Sequence, residues 1–177
     1  MSEAVTVRLA SAADVPAIRA LVEAAYRGDS ARRGWTHEAD LIGGQRIDEA
    51  EIDEILSDPR QRLLLAEADG VAAGCVKVSD QGSGLAYLGL LSVDPERQAA
   101  GLGRRLIAAA EREAVRSFGA RAMEMTVIRQ RPELVAYYER RGYVRTEEER
   151  PFHYGNDRIG IPTRGDLSFV VLSKPLG

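Results

Sequence analysis

V-D-P-E-R-Q-A-A-G-L-G-R-R-L, residues 93 to 106, is the stretch that decides the fold, because it joins an apolar run to an amphipathic run across two glycines. Residues 85 to 93 are mostly apolar, and Pro95, which has no backbone N–H to donate, predicts that a strand ends there. From Leu102 to Phe118 apolar residues recur every four positions, which predicts a helix that begins at the glycines. Glycine backbone can approach a ligand closely, and the first N–H groups of a helix bind anions. The sequence therefore predicts a phosphate-binding site at the start of this helix.

The residues around the two glycines distinguish several kinds of phosphate site. A Walker A loop requires Lys and then Ser or Thr after its last glycine, but Gly103 is followed by two arginines, so a nucleoside triphosphate loop is excluded. A dinucleotide fingerprint would need a third glycine where Leu106 stands, although Glu124 lies about twenty residues on, where an acidic ribose ligand is expected. A strand-to-helix turn without a ligand is the remaining alternative.

Two motifs in the chain resemble those of the GNAT superfamily of N-acetyltransferases. Residues 98 to 103, Q-A-A-G-L-G, resemble the family's acetyl-CoA signature, Arg/Gln-x-x-Gly-x-Gly/Ala after a strand. Residues 138 to 143, Y-E-R-R-G-Y, resemble its second motif, Tyr-Glu-x-x-Gly-Phe/Tyr at the end of an apolar helix. The similarity is good over residues 60 to 145, whereas residues 27 to 47 and 147 to 165 match only as variable loops.

The order of polar and apolar segments predicts one α/β or α+β domain over residues 1 to 177. The resemblance implies a mixed, twisted sheet of six to seven strands flanked by helices, in which two central parallel strands splay apart at the cofactor site. The expected strands are residues 5–9, 62–67, 71–78, 85–93, 120–128 and 166–172, and the expected helices are residues 11–26, 47–56, 101–118 and 132–142.

The resemblance implies that acetyl-CoA is the cosubstrate, and it assigns the contacts. The thioester carbonyl would bind main-chain N–H groups at a bulge in strand 85–93, and the phosphates would bind the helix start. Many members carry Asn seven residues before the motif tyrosine, but this chain has Arg131 there, so no Asn role is transferred to it. The cofactor-binding residues implied are Leu91, Ser92, Val93, Gln98, Ala99, Ala100, Gly101, Leu102, Gly103 and Arg104.

The resemblance also implies a direct attack by a primary amine in a ternary complex. This reaction needs a neutral amine, a donor for the developing oxyanion and an acid for the departing thiolate. Tyr138 stands at the position of the family's general acid. Strand 85–93 contains no carboxylate, so the candidates for the general base are Glu124 and His37. An acyl-CoA-binding or regulatory module without turnover is the alternative function.

An acidic segment indicates the nature of the acceptor. Residues 37 to 58 contain eight acidic residues and one basic residue, which favours a cationic ligand. In the family this segment walls the acceptor site, so the resemblance implies a small-molecule or peptide amine there. A solvated acidic helix face over residues 48 to 58 is the alternative explanation. The substrate-binding residues implied are Trp35, Glu38 and Asp40.

Composition fits a cytoplasmic protein of one domain. The 177-residue chain is 45% hydrophobic and 29% charged, as is usual for soluble proteins, and its net charge of −3 predicts no binding of nucleic acid. No segment is apolar enough for a membrane span, and the N-terminus lacks the build of a signal peptide. The one cysteine, Cys75, is expected to be a buried strand residue in a reducing compartment. No metal site is expected, and a homodimer is compatible with the resemblance.

Overall fold

A seven-stranded mixed sheet is the largest element of the computed structural model, which describes residues 4–26, 42–43, 47–152, 161–162 and 165–177. Within those residues no helix has the length and apolarity needed to cross a bilayer. The strands are β1 (Val5–Leu9), β2 (Ile42–Gly43), β3 (Gln61–Ala68), β4 (Val71–Gly82), β5 (Leu85–Val93), β6 (Ala122–Ile128), β7 (Val144–Pro151), β8 (Ile161–Pro162) and β9 (Ser168–Pro175). The helices are α1 (Val15–Tyr26), α2 (Glu49–Ser57), α3 (Leu102–Phe118) and α4 (Pro132–Arg140), with short 3₁₀ helices at Ala12–Asp14 and Pro95–Ala100.

The strand order of the large sheet is β1-β3-β4-β5-β6-β9-β7, and β2 pairs with β8 separately. All neighbours in the large sheet are antiparallel except β5 and β6, which run parallel. Parallel neighbours need a long crossover connection, which here contains α3. The predicted mixed sheet with flanking helices is therefore confirmed, with seven strands.

Each face of the sheet carries its own hydrophobic core. On one face α3 packs through the predicted apolar stripe, in which Leu102, Leu106 and Ala110 are fully buried, and the end of α4 joins the same core through Tyr138. On the other face α1 and α2 bury a second cluster, which includes Ile18. The sheet is thus fixed from both sides, and the two cores meet across β5.

β5 and β6 separate soon after they begin. Their pairing starts with Leu85 opposite Ala122 and ends with Tyr87 opposite Glu124, three pairs along strands of nine and seven residues. Beyond Tyr87 the edge of β5 that would face β6 has no strand of the described residues beside it. The predicted splay of the central parallel strands is confirmed, and it creates an opening between the two cores.

The chief disagreement with the sequence analysis lies in residues 147 to 165, which were expected to be a loop. β7 continues through Pro151 and forms the edge of the sheet beyond β9. Its sequence, V-R-T-E-E-E-R-P, is exposed at most positions, so the alternation that identifies a half-buried strand is absent. Charged residues and proline are common on edge strands because they discourage pairing with other chains.

Other elements differ from the predictions at their ends. β6 begins at Ala122 rather than at residue 120, because Gly119 ends α3 in the left-handed conformation and the chain needs a turn before it pairs. β9 runs over Ser168–Pro175 rather than 166–172, and α2 over Glu49–Ser57 rather than 47–56, with Asp48 as its N-cap. The ends of these elements are set by capping and strand-pairing contacts, which hydrophobic periodicity does not predict.

The close approach of α3 to the sheet depends on Gly74 of β4. A Cβ atom at this position would lie 2.8 Å from Leu106 Cδ1 and 3.0 Å from the Ser92 carbonyl oxygen. We expect Gly74→Ala to reduce the free energy of unfolding by about 1–3 kcal/mol, the usual cost of overpacking a core. Chemical denaturation would measure this loss.

Gly165→Ala is the matched control, because a Cβ atom there would have no neighbour within 4 Å. An equal free energy of unfolding for Gly74→Ala and the parent would show that α3 can move away from β4 without loss.

Candidate active site

A cleft of 560 Å³ opens where β5 and β6 separate. Residues of α2, β4, β5, β6, α4, β7 and β9 line it. Three of the predicted site residues, Leu91, Glu124 and Tyr138, lie in its wall, although they are far apart in the sequence. The cleft therefore brings together the apolar strand before the glycines, the next parallel strand and the helix of the second motif.

A β-bulge in β5 shapes the cleft. Gly89 is opposite Lys77 and Ser92 is opposite Cys75, so β5 has one more residue than β4 between the two pairs. Leu90 accommodates the extra residue with a φ of +56°, a backbone conformation that costs a leucine energy and survives only where surrounding structure holds it. The bulge thus begins directly before the predicted segment 91 to 93.

The bulge determines which of the two hydrophobic cores the side chains of Leu88, Leu90 and Leu91 contact. Leu88 packs in the α3 core, Leu90 packs in the α1 and α2 core, and Leu91 contacts the α3 core again. The Ser92 hydroxyl donates to the Leu90 carbonyl oxygen at 3.1 Å, which holds the distorted backbone. Since β6 has already moved away, the backbone of this segment lies at the opening.

The start of α3 is a helix N-terminus capped by glycine. Gly101 has a φ of +74° and is the N-cap, a conformation that glycine adopts without strain. The Arg105 N–H donates to the Gly101 carbonyl oxygen at 3.3 Å, which is the first hydrogen bond of the helix. The N–H groups of residues 102 to 104 therefore have no carbonyl partner within α3. Leu102 is buried in the core and Arg104 is exposed. Residues 98 to 100 lie in the preceding 3₁₀ helix.

Tyr137 links the start of α3 to α4, a contact that sequence reasoning missed. A Cβ atom on Gly103 would lie 2.5 Å from the Tyr137 hydroxyl oxygen. The Arg141 guanidinium stacks over the Tyr137 ring at 4.9 Å. Gly103 therefore lets the Tyr137 hydroxyl lie against the first turn of α3. The repeated tyrosine in A-Y-Y-E was the only signal in the sequence, and it did not show which ring faces α3.

Tyr138 is both a core residue and a cleft residue. Its side chain is 6% exposed, and it makes edge-to-face contacts with Tyr137 at 5.4 Å and Tyr143 at 6.2 Å between ring centroids. It also lines the cleft between the splayed strands. These contacts fix the position of the ring in the core.

Glu124 faces the cleft and is paired there. Its side chain is 15% exposed, and Arg150 Nη2 donates to its two carboxylate oxygens at 3.2 and 3.4 Å. Arg150 also binds Glu148, and the hydrogen bonds with Glu148 and then Glu124 raise the pKa of its guanidinium. Beside them, the hydroxyls of Tyr87 and Thr126 are hydrogen-bonded to each other. One polar wall of the cleft is thus built from β5, β6 and β7.

The remaining predicted residues are divided between buried and undescribed positions. Ser92 and Val93 are buried at the end of β5, so they can offer a ligand only their backbone. The predicted acceptor and base residues Trp35, His37, Glu38 and Asp40 lie outside the described residues. Within the described ranges no three His, Cys, Asp or Glu side chains are grouped as metal ligands would be.

Comparison with known proteins identifies the family of the chain. Residues 36–154 match the family model of the acetyltransferase (GNAT) domain. The chain belongs to the GNAT acetyltransferase family. A search of curated proteins gave no significant match.

Solved structures of GNAT proteins share the fold along nearly the whole chain. YncA of Salmonella typhimurium, a putative acetyltransferase solved with its cofactor acetyl-CoA, is 22% identical, with a TM-score of 0.70 over 98% of this chain and 95% of its own. The ribosomal-protein-S18-alanine N-acetyltransferase of Escherichia coli is 18% identical, with a TM-score of 0.70 over 98% and 95%. A point mutant of the spermidine N-acetyltransferase SpeG of Vibrio cholerae is 15% identical, with a TM-score of 0.69 over 97% and 93%.

In this GNAT protein Arg131, at the position where many members carry Asn, is a buried residue. Its side chain is 4% exposed, its Nε atom lies 3.6 Å from Glu133 Oε1, and it lines the cleft at the start of α4. A buried guanidinium is therefore part of this wall.

Cys75 is buried behind the bulge, as the sequence predicts. Its thiol is fully buried, its sulfur lies 3.9 Å from the Leu90 carbonyl oxygen, and burial raises the pKa of the thiol to about 12. A thiolate is the reactive form, so the folded protein should leave this thiol unmodified.

We expect Ellman's reagent at about pH 8, close to the ordinary thiol pKa of about 8.5, to find no reactive thiol in the folded protein. After unfolding in guanidinium chloride it should find one thiol per chain, since the sequence has one cysteine. Rapid reaction in the native state would show that the bulge opens readily and exposes Cys75.

Proposed function

We propose that this chain transfers an acetyl group from acetyl-CoA to a primary amine by direct attack in a ternary complex. The observation that carries the proposal is the meeting of the β5 bulge and Tyr138 at one cleft, with the start of α3 beside it. The acetyl-CoA in the Salmonella relative and the amine acceptors named for the Escherichia coli and Vibrio cholerae relatives support it. We further propose that residues 1 to 177 form a single catalytic domain that acts in the cytoplasm.

The start of α3 would hold the phosphates of acetyl-CoA. The N–H groups of residues 102 to 104 and the helix dipole attract an anion, and Arg104 adds a positive charge in the same turn. Backbone N–H groups of residues 91 to 93 would bind the thioester carbonyl, because this segment is distorted and lies beside the gap left by β6. The assignments to Gln98, Ala99 and Ala100 remain part of the proposal.

The reaction requires two proton transfers: a base removes a proton from the amine, and an acid gives a proton to the departing thiolate. An alkylamine with a pKa of about 10.4 is neutral in only about one molecule in 2,500 at pH 7, a cost of about 4.6 kcal/mol, so a base must remove its proton. Glu124, the carboxylate in the cleft wall, and His37 are the candidates. The amine nitrogen then bonds to the acetyl carbon, the carbon–sulfur bond breaks, and the departing thiolate takes a proton from Tyr138. The new amide nitrogen loses its extra proton, which restores the phenol of Tyr138.

An ordinary phenol has a suitable acidity for the second proton transfer. An ordinary phenol has a pKa of about 10 and a thiol a pKa of about 8.5, so the transfer costs only about 2 kcal/mol. A fixed, protonated hydroxyl can therefore act as the general acid.

The acceptor is proposed to be a small-molecule or peptide amine held in part by Trp35, Glu38 and Asp40. No role for nucleic acid, membrane or metal is included, and a homodimer is compatible with the proposal. Release of CoA thiol with a panel of amines tests the activity. Tight acetyl-CoA binding without thiol release from any amine would support the alternative, a binding or regulatory module.

The first prediction concerns the phosphate site. Gly103→Ala should weaken acetyl-CoA binding about tenfold or more, which corresponds to about 1.4 kcal/mol, because the added Cβ would lie where the phosphates approach the backbone N–H groups. Since that Cβ would also lie 2.5 Å from the Tyr137 hydroxyl, the variant should lose stability as well. Calorimetry would measure binding, and thermal unfolding would measure stability.

The double variant Gly103→Ala with Tyr137→Phe separates these two effects. Without the hydroxyl, the nearest ring atom is 3.5 Å away, an ordinary contact, so stability should return while weak binding persists. If the double variant binds acetyl-CoA as tightly as Tyr137→Phe alone, the phosphates bind elsewhere.

The second prediction concerns Tyr138. Tyr138→Phe keeps the buried ring and removes the acidic proton, so kcat should fall by about 10²–10⁴-fold with little change in the Kd for acetyl-CoA. Tyr143→Phe is the matched control, because Tyr143 is an equally buried neighbour whose hydroxyl binds Glu111. Equal kcat values for the two variants would make Tyr138 a packing residue.

A further inference from the structure

The described wall of the cleft carries more positive than negative side chains. The ionisable residues that line it include three cations, Lys77, Arg131 and Arg150, and two carboxylates, Glu51 and Glu124. This balance is opposite to that of the acidic segment at residues 37 to 58. Of that segment, Glu49, Asp53 and Glu54 are exposed and Asp48 caps α2, so among its described carboxylates only Glu51 lines the cleft.

Lys77 reaches the cleft across a glycine. It is opposite Gly89 in the pairing of β4 with β5, and its Cε atom lies 3.6 Å from the place where a Gly89 Cβ would be. The Tyr87 ring lies 3.3 Å from the same place. The absence of a side chain at Gly89 therefore lets the lysine stem cross β5 beside the tyrosine, in the wall that also carries Glu124.

Arg150 reaches the same wall from the edge of the sheet. β7 is separated from β6 by β9, and Arg150 is opposite Phe169 of β9. The guanidinium nevertheless binds Glu124 of β6, so its side chain spans the intervening strand. Its Nε and Nη2 atoms donate to Glu148 and Glu124, whereas its Nη1 atom donates to no described residue.

Such a wall is unfavourable for an acceptor that is only cationic. A polyamine would meet Lys77 and Arg150 beside the carboxylate of Glu124, and like charges in a partly desolvated cleft repel. An acceptor with a carboxylate next to its amine would instead satisfy both signs. Guanidinium and ammonium groups bind carboxylates through charge-assisted hydrogen bonds, and Glu124 would remain beside the amine.

We propose that the acceptor is a small zwitterion, an amine that carries a carboxylate as an amino acid does. Lys77 and Arg150 would bind the carboxylate, and Glu124 would lie beside the amine. This inference rests on the proposed acetyl transfer and narrows its acceptor. It excludes the N-terminus of a protein, because the α-carboxyl group there is an uncharged amide.

The test uses matched acceptors that differ only at the carboxylate: phenylalanine, phenylalaninamide and phenethylamine, and likewise leucine, leucinamide and 3-methylbutylamine. Release of CoA from acetyl-CoA by the full chain gives kcat/KM for each. We expect the acids to exceed both the amides and the amines by about tenfold or more, the loss typical of one charge-assisted hydrogen bond. Equal or higher values for the amides or amines would overturn the proposal.

Substitutions of Lys77 and Arg150 locate the preference. Lys77→Gln leaves the contact between Arg150 and Glu124 intact and should raise KM for the acids while KM for the amines stays constant. Arg150→Gln should raise KM for the acids more than KM for the amines, because it removes the proposed carboxylate contact and also the partner of Glu124, and Arg150→Lys should restore part of the acid preference. Arg129→Gln is the matched control, since Arg129 is an exposed arginine of the same sheet region that contacts Ser168 and Glu149 and does not line the cleft. An undiminished acid preference in both Lys77→Gln and Arg150→Gln would overturn the assignment.

Binding measurements separate this proposal from the proposed function. Calorimetry of each acceptor with the protein and CoA does not require turnover. Preferential binding of the acids without thiol release would uphold the zwitterion site and overturn the acetyl transfer. Thiol release with no discrimination between acids and amines would uphold the transfer and overturn the zwitterion site.

Discussion

The separation of β5 from β6 after three paired positions is the constraint on which the other features of the site depend. In a closed sheet the backbone of β5 would bond to its neighbour and the cleft would not exist. The strand can leave its partner because both of its faces are held by hydrophobic cores, one built by α3 and the other by α1 and α2. Packing on both faces of β5 thus keeps its edge beyond Tyr87 unpaired, whereas strand pairing by itself would join that edge to β6.

The bulge at Leu90 is also stabilised by the packing of β5 between the two cores. A leucine in the left-handed region is held there by burial of its side chain in the α1 and α2 core and by the Ser92 hydroxyl on its carbonyl oxygen. One extra residue therefore turns Leu91 toward the opening, whereas a regular strand would alternate the other way. The contact of Tyr137 with Gly103 sets the position of α4 relative to α3, and Tyr138 is the next residue. The close approach of Tyr137 to Gly103 therefore helps to position both the start of α3 and the side chain of Tyr138 in the cleft.

The local sequence was sufficient to predict the helices and strands whose apolar residues are periodic and whose ends are marked by glycine or proline. The strand that ends before Pro95, the helix that begins after Gly101 and the helix that begins at Pro132 were each predicted, because each has its signal within a few residues. The edge strand β7 was missed because it buries little and so has no hydrophobic alternation. The pairing of Arg150 with Glu124 joins residues 26 apart across an intervening strand, and the approach of Tyr137 to Gly103 joins two helices. Such contacts depend on strand order and helix packing, which no local pattern encodes.

The exposed character of β7 has a consequence for how this protein can vary. Core positions tolerate few replacements because each change of volume disturbs many neighbours, whereas an exposed edge strand tolerates many. Arg150 places one of the charges of the cleft on such a strand. Over evolutionary time a lineage could therefore replace this charge, and with it the electrostatic character of the cleft, while the folding of both cores stays intact.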